Sequence, residues 1–126
     1  MTYSQNDLLF VPLGGSGEIG MNVNLYHYQD SWIMVDLGIS FPDDSTPGVD
    51  VILPDLKFIA ERRDKLAGLV LTHGHEDHLG AIPYLWSQIG HGLMLFKREF
   101  WMGMKMTSQC HPLRMKCFRQ VVKSIA

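Results

Sequence analysis

Residues 69–79 read Leu-Val-Leu-Thr-His-Gly-His-Glu-Asp-His-Leu, and this stretch decides the fold. The apolar run at 69–71 predicts a buried strand, and the polar residues that follow it predict a turn. Leu79, Ile82, Leu85 and Ile89 then share one face of a predicted helix. Pro83 fits this helix only if the helix begins near residue 80. A strand that runs through a polar turn into a helix is the unit of a layered α/β domain.

Four potential metal ligands lie within six residues of this junction, in the pattern His-x-His-x-Asp-His. His73 and His75 are two residues apart in extended chain and can point toward one metal ion, while Asp77 and His78 can face a second. Imidazole and carboxylate together suit zinc, and a coordination position left for water makes a zinc site catalytic. A lone histidine is more often a solvated or core residue, but a cluster this dense favours metal binding.

Other polar residues are weaker candidates. Asp36 follows the apolar run 32–35 and so lies at the tip of a predicted strand. There it either orients a ligand histidine or simply caps a turn. Glu76, inside the motif, is interpreted as a solvated side chain rather than a ligand. Three further histidines do not belong to a cluster of this kind and are interpreted as ordinary: His27, His91 and His111.

The chain before the motif predicts three strands, a long loop and a helix. An apolar run at 8–13 ends in Gly14-Gly15-Ser16-Gly17 and predicts a strand that enters a loop. Residues 23–28, a turn at 29–31 and the run 32–35 predict a β-hairpin. Residues 40–54 are rich in Pro, Asp and Gly and predict a loop of the kind that compact domains keep for function. Pro54-Asp55 predicts the start of a helix that continues to Arg63.

Length and composition indicate one globular domain. The chain has 126 residues, of which 46% are hydrophobic and 19% are charged. No apolar stretch is long enough to span a bilayer, and the N-terminus lacks the basic start of a signal peptide. A cytoplasmic location without a membrane partner is therefore expected. Cys110 and Cys117 form no zinc-type pair and are predicted to be free thiols.

The motif and the segments before it resemble a known family. Thr72-His73-Gly74-His75-Glu76-Asp77-His78-Leu79-Gly80-Ala81 resembles the signature of the metallo-beta-lactamase superfamily. Earlier segments are similar to ribonuclease J, a family of the beta-CASP branch: Gly14-Gly15-Ser16-Gly17-Glu18-Ile19-Gly20-Met21-Asn22, Val35-Asp36-Leu37-Gly38, Phe41-Pro42-Asp43-Asp44, Pro47-Gly48-Val49-Asp50 and Ile52-Leu53-Pro54-Asp55. The resemblance covers residues 8–90 in order and without gaps, which is more specific than the histidine motif alone.

This resemblance implies a partial metallo-beta-lactamase αββα sandwich, with residues 8–90 as its N-terminal part. It implies a zinc-dependent ribonuclease with RNA as its partner, which trims RNA from the 5′ end and also cuts internally, and it allows an oligomer. His73 and His75 would hold one zinc ion and Asp77 and His78 the other. Asp36, Asp77 and His78 would form the catalytic set, in which Asp36 supports the ligands. The loop at 14–22 would lie beside this site.

The resemblance does not extend beyond residue 90. A complete site of the family also needs a further histidine, a bridging aspartate and a last histidine, and these and the beta-CASP domain are not recognised in this chain. Residues 1–90 hold four Lys/Arg and twelve Asp/Glu, whereas residues 91–126 hold seven and one, with both cysteines and five of the eight methionines. This shift suggests a basic tail that was translated out of frame or joined from elsewhere, and we expect it to pack loosely. A divergent amphipathic tail and a basic arm that contacts RNA phosphates are alternatives.

Three classes of function stay open. The first is a ribonuclease J-type enzyme, represented by part of its catalytic domain. The second is a hydrolase of a small thioester or lactone with the same histidine motif, but the detail of residues 41–55 favours the ribonuclease. The third is a chain without catalysis, either a decayed product or a metal-binding module. The incomplete ligand set favours weak metal binding and little activity for these 126 residues alone.

Overall fold

The computed structural model describes residues 3–90 and the backbone of residues 93–96. These residues form one five-stranded mixed sheet whose strand order follows the chain. The strands are β1 (Leu9–Gly14), β2 (Val23–Tyr28), β3 (Ser31–Val35), β4 (Leu66–Leu71) and β5 (Leu93–Phe96). The helices are α1 (Lys57–Ala60), α2 (Glu76–Leu79) and α3 (Ile82–Ile89), with one turn of 3-10 helix at Arg63–Lys65.

The hairpin predicted at 23–35 is confirmed as β2 and β3. Tyr28 pairs with Ser31, which leaves Gln29 and Asp30 as a two-residue connection. Both connecting residues have positive φ, at 47° and 60°. Positive φ at both central positions is the geometry of a type I′ turn, whose twist matches that of the flanking strands. The carboxylate of Asp30 also binds Lys65 Nζ at 2.6 Å.

A crossover places the ends of β3 and β4 side by side. The chain leaves β3, passes through α1 and returns as β4, which pairs with β3 in parallel. Val35 lies opposite Val70 in this pairing. The carboxyl ends of the two strands therefore meet at one edge of the sheet, where the sequence places its polar residues.

One face of the sheet carries the core. The buried side chains come from alternate positions of β2, β3 and β4 and from α1 and α3; they include Leu25, Trp32, Met34, Leu69, Ile59, Leu85 and Ile89. Full burial of a side chain of this size stabilises the fold by about 1.5–3 kcal/mol. The opposite face exposes Phe10, Tyr26 and Ile33, which lie opposite one another across β1, β2 and β3. The predicted α/β class is confirmed.

His27 is part of this core. It is 1% exposed, stacks at 4.8 Å from the Trp32 ring, and has Nδ1 3.3 Å from the carbonyl oxygen of Asp7. Its Nε2 is buried with no hydrogen-bond partner among residues 3–90. His27 thus occupies the position of a core histidine, and its interpretation as an ordinary residue stays a prediction.

The helix predicted from Pro54 to Arg63 is shorter than the sequence suggested. The side chain of Asp55 accepts a hydrogen bond from the backbone N–H of Lys57 at 2.8 Å, and the helix begins there. Arg62 leaves the helical region, with φ at −125°, and the 3-10 turn follows. Apolar residues at helical spacing therefore do not distinguish one continuous helix from a short α-helix followed by a separate 3-10 turn. No helix within the described ranges is long and apolar enough to cross a bilayer.

Strand β5 lies beyond the predicted boundary at residue 90. It pairs in parallel with β4, from Gly68 opposite Leu93 to Leu71 opposite Phe96. Residues 97–126, with Cys110, Cys117 and His111, lie outside the described residues, as does His91. The loosely packed tail and the boundary at residue 90 stay predictions.

Candidate metal centre

Asp36 is the first residue after β3 and turns its side chain toward the end of β4. Its backbone has φ of 63°, a left-handed conformation that Asp and Asn adopt more readily than most residues. Its N–H donates to the carbonyl oxygen of Val70 at 2.9 Å. The backbone N–H of Thr72, just after β4, donates to Asp36 Oδ1 at 2.8 Å. These two bonds join the strand ends and fix the carboxylate between them.

The Asp36 carboxylate is 3% exposed and both of its oxygens have partners. The Thr72 hydroxyl lies 2.8 Å from Oδ2, and His78 Nδ1 lies 2.7 Å from the same oxygen. A carboxylate acceptor at Nδ1 favours the tautomer with the proton on Nδ1, which leaves the Nε2 lone pair of His78 free to bind a metal ion. Asp36 therefore fixes both the position and the tautomer of the His78 ring.

The turn that carries Asp77 and His78 is held by backbone hydrogen bonds. Three successive carbonyl oxygens of α2 accept N–H groups from elsewhere in the chain: Ile39 to Glu76 at 3.1 Å, Asn22 to Asp77 at 2.8 Å and Leu37 to His78 at 2.8 Å. The Glu76 carbonyl also accepts from Gly80 at 2.8 Å, as expected at a helix end, whereas the carbonyls of Asp77 and His78 are ones that a helix of one turn leaves to other partners. The backbone N–H groups of Asn22, Leu37 and Ile39 thus hold α2 against the sheet.

Gly38 allows this close approach. A Cβ placed on Gly38 would overlap the carbonyl oxygen of Asp77. Real Cβ atoms do not approach a backbone oxygen so closely, so any larger residue would force α2 away from the end of β3. The glycine of the Val-Asp-Leu-Gly segment therefore positions α2 against the sheet.

The four proposed ligands lie together as two pairs. His73 Nε2 is 3.1 Å from His75 Nδ1, and Asp77 Oδ2 is 3.2 Å from His78 Nε2. The rings of His73 and His78 lie 3.9 Å apart between centroids, so the two pairs are neighbours. Burial is the largest cause that lowers the pKa of His73, followed by the nearby rings of His78 and His75. A lowered pKa keeps His73 neutral, the state in which imidazole binds metals.

The spacing within each pair fits two ligands of one zinc ion. Zinc–nitrogen bonds of 2.0–2.1 Å in a tetrahedron put two donor atoms roughly 3.3 Å apart. The pair distances of 3.1 and 3.2 Å are close to this value. Within the part of the chain that the structure describes, however, no group of three or more His, Cys, Asp or Glu side chains is arranged to hold one metal ion. Each pair thus has the spacing of two zinc ligands but is not by itself a complete coordination set.

The sequence motif did not identify every residue of this centre. The spacing of the motif assigns no role to Thr72, although its hydroxyl contacts Asp36 and lies 3.0 Å from His73 Nδ1. The sequence shows Asn22 only as the end of the loop at 14–22, yet its side chain reaches Asp77 and His78. A polar residue that ends a glycine-rich loop is the signal that could have singled out Asn22. Glu76 is half-buried, and its role as a solvated side chain stays an interpretation.

Comparison with known proteins gives a consistent picture. The metallo-beta-lactamase superfamily matches residues 17–100 of this chain. Ribonuclease J of Sinorhizobium meliloti is 48% identical over 102 residues, which are 78% of this chain and 18% of that protein. Ribonuclease J of Thermus thermophilus is 43% identical over 81 residues, or 64% of this chain and 14% of that protein. Ribonuclease J of Synechocystis is 48% identical over 77 residues, or 61% and 12%. The chain spans less than one fifth of the length of these relatives.

Proposed function

The chain belongs to the metallo-beta-lactamase superfamily, and we propose that it takes part in zinc-dependent hydrolysis of RNA. The name of its ribonuclease J relatives indicates ribonuclease activity for them. The proposal includes cleavage of RNA from the 5′ end as well as internal cleavage. It also includes a cytoplasmic location and RNA as the partner.

One observation carries the proposal: the two donor pairs lie side by side at the end of β4. His73 with His75 and Asp77 with His78 each present two donor atoms at the separation that a zinc ion requires. The Asp36 carboxylate supports the second pair, because it contacts Nδ1 of His78. A carboxylate behind a ligand histidine is the usual support of a catalytic zinc ligand.

In the proposed roles, His73 and His75 hold one zinc ion and Asp77 and His78 hold the other. Two zinc ions in such a centre lower the pKa of the attacking water and stabilise negative charge on the phosphate. The protein's own contribution is orientation. Asp36 keeps the His78 proton on Nδ1, and the backbone hydrogen bonds from residues 22, 37 and 39 keep α2 in place.

Charge near the site also bears on RNA binding. Residues 1–90 hold twelve acidic residues and four Lys/Arg, so this part of the chain repels a polyanion at long range. Bound zinc would offset the carboxylates of Asp36 and Asp77 locally. We therefore propose that phosphate approaches this half of the site only when the metal ions are bound.

A segment exchange tests the proposal. Residues 8–90 of this chain replace the matching segment of the Sinorhizobium meliloti relative, and hydrolysis of 5′-monophosphorylated RNA is measured. We expect an active chimera that loses at least 100-fold in rate on His75→Ala. His75 is exposed, so this change should leave folding intact. The matched control His27→Ala sits in the core and should lower the melting temperature instead. A chimera that folds and binds zinc but leaves RNA intact would refute the proposed function.

A further inference from the structure

Asn22 ends the loop at 14–22 and is the residue through which this loop reaches the candidate metal centre. Its Nδ2 lies 3.1 Å from the carbonyl oxygen of Asp77, 3.2 Å from Asp77 Oδ2 and 3.3 Å from His78 Nε2. Its backbone N–H donates separately to the Asp77 carbonyl at 2.8 Å. The side chain and the main chain of Asn22 thus bind the same turn independently.

The Asn22 carboxamide lies against Gly15, with its NH₂ group facing Asp77 and His78. A Cβ on Gly15 would overlap Asn22 Oδ1, and Gly15 has φ of 78°, a conformation that favours glycine. Gly15 therefore leaves the space that the amide of Asn22 occupies.

We propose that Asn22 is a positioning residue for Asp77, in the way that Asp36 is one for His78. This inference rests on the proposed function, because it assigns Asp77 and His78 to one cation. An amide NH₂ is only a donor and cannot itself be a metal ligand. A carboxylate has about four lone-pair sites, so Asp77 can accept from Asn22 and still bind a cation.

The three contacts of Asn22 Nδ2 would respond differently to a bound cation. The contact with His78 Nε2 uses the lone pair that the cation would need, so cation binding would replace this contact. The contacts with the oxygens of Asp77 use other lone pairs and can persist. Asn22 therefore stops the Asp77 carboxylate from rotating away, both before and after the cation arrives. Such hydrogen bonds to a ligand typically change metal affinity by about 10–100-fold.

The experiment compares Asn22→Ala with Asn24→Ala in the complete 126-residue chain. Asn24 lies two residues away, and its side chain accepts a hydrogen bond from Ser16 Oγ at 3.3 Å. Zinc is titrated while the ring signals of His78 are followed by NMR. We expect Asn22→Ala to raise the zinc dissociation constant about 10–100-fold, and Asn24→Ala to leave it within about twofold. The melting temperature of metal-free Asn22→Ala should change little, because the backbone bond to Asp77 remains. Equal zinc affinity in wild type and Asn22→Ala would overturn the inference.

A second measurement needs no metal and separates this inference from the proposed function. Side-chain couplings report whether Asp77 occupies one rotamer or several. We expect one rotamer in wild type and in Asn24→Ala, and rotamer averaging in Asn22→Ala. If wild type binds no zinc, the assignment of Asp77 and His78 to one cation in this chain is in error, while the rotamer result still decides the role of Asn22. A single Asp77 rotamer in Asn22→Ala would reject that role.

Discussion

Asp36 Oδ2 lies 2.7 Å from Nδ1 of His78, and this contact joins the end of β3 to α2. The two residues are 42 positions apart, so the contact exists only because β3 and β4 run in parallel and end at the same edge. A buried carboxylate on one ring nitrogen decides which nitrogen of His78 carries the proton. The fold therefore sets the tautomer of His78, a candidate ligand that lies on a different element from Asp36.

The first prediction concerns Asp36→Asn. The amide can still accept from Thr72, but its NH₂ now faces His78 Nδ1 and favours the tautomer with the proton on Nε2. We expect ¹⁵N NMR to show this tautomer change, and urea unfolding to show a loss of about 1.5–3 kcal/mol, the usual value of a hydrogen bond to a charged group. Asn keeps the left-handed backbone, so strain does not add to the loss.

Asp30→Asn is the matched control for this change. Asp30 also has positive φ, but its carboxylate is exposed and binds Lys65. An exposed ion pair contributes about 0–1 kcal/mol. Asp30→Asn should therefore cost less than Asp36→Asn and leave the His78 tautomer unchanged. A tautomer change in both variants, or in neither, would contradict the assignment.

The second prediction concerns the Thr72 hydroxyl, which lies 3.0 and 2.8 Å from the two oxygens of Asp36. Thr72→Val keeps the shape and removes the donor, whereas Thr72→Ser keeps the donor. We expect Thr72→Val to lower the free energy of unfolding by about 1–3 kcal/mol, since a buried carboxylate loses a partner. Thr72→Ser should lose less than half of that. Equal losses in chemical denaturation would mean that the methyl group, not the hydroxyl, matters at this position.

The third prediction concerns Gly38→Ala. The added Cβ would overlap the Asp77 carbonyl oxygen, so α2 must move. Overpacking of this kind typically lowers the free energy of unfolding by about 1–3 kcal/mol, and we expect the upper end of this range. The backbone amide NMR signals of residues 76–79 should shift as well. Gly48→Ala is the control, because Gly48 has φ of 80° but nothing within 4 Å of its Cβ position. It should cost only the strain of about 1–2 kcal/mol and leave α2 undisturbed.

The two side-chain pairs of the candidate centre could be predicted from the sequence because the members of each pair are close in the chain. His73 with His75 and Asp77 with His78 are close in the chain, and a strand end followed by a turn is enough to bring them together. Asn22 and Asp36 are 55 and 42 residues from their partners, so local spacing contains no information on these contacts. Asp36 was a candidate because it ends a strand, while Asn22 had only its place in a glycine-rich loop.

The same difference between local and long-range contacts decides which parts of the fold could be predicted. The hairpin was predictable because its turn and its alternating residues are contiguous. The helix at 57–60 was predicted too long because periodicity alone does not show where the backbone leaves the helical region, as it does at Arg62. Strand β5 was not predicted because its pairing with β4 depends on a partner more than twenty residues earlier.

The fourth prediction is a pH dependence that arises from His73. Burial and the neighbouring imidazoles lower the pKa of His73 in the folded chain below its ordinary value of 6.5. The unfolded chain therefore binds the proton more readily, so stability is fully present above pH 6.5 and is lost as the pH falls from 6.5 toward the lower folded pKa. NMR titration of the His73 ring in the metal-free chain should give a midpoint below 6.5. His73→Gln should weaken the loss of stability over this range, and an unchanged pH profile in that variant would assign the effect to other groups.

The fifth prediction is that the 126-residue chain on its own binds zinc weakly and does not cleave RNA. Across residues 3–90 the candidate ligands form two pairs, and no third His, Cys, Asp or Glu joins either of them. Two ligands leave at least two positions of a tetrahedral ion to solvent, and no carboxylate bridges the pairs to fix the distance between two ions. Loss of one supporting group already lowers metal affinity or activity by about 10–100-fold, so missing direct ligands should lower it further.

Metal content after dialysis, together with an assay on 5′-monophosphorylated RNA, measures both parts of this prediction. We expect less than one zinc ion retained per chain and no cleavage above the rate without protein. The His75→Ala variant should then be indistinguishable from wild type in the RNA assay, although it removes one donor of the first pair. Two firmly held zinc ions, with RNA cleavage that His75→Ala abolishes, would instead mean that ligands outside residues 3–90 complete the centre. The same proposed site would then be active in this chain as it stands.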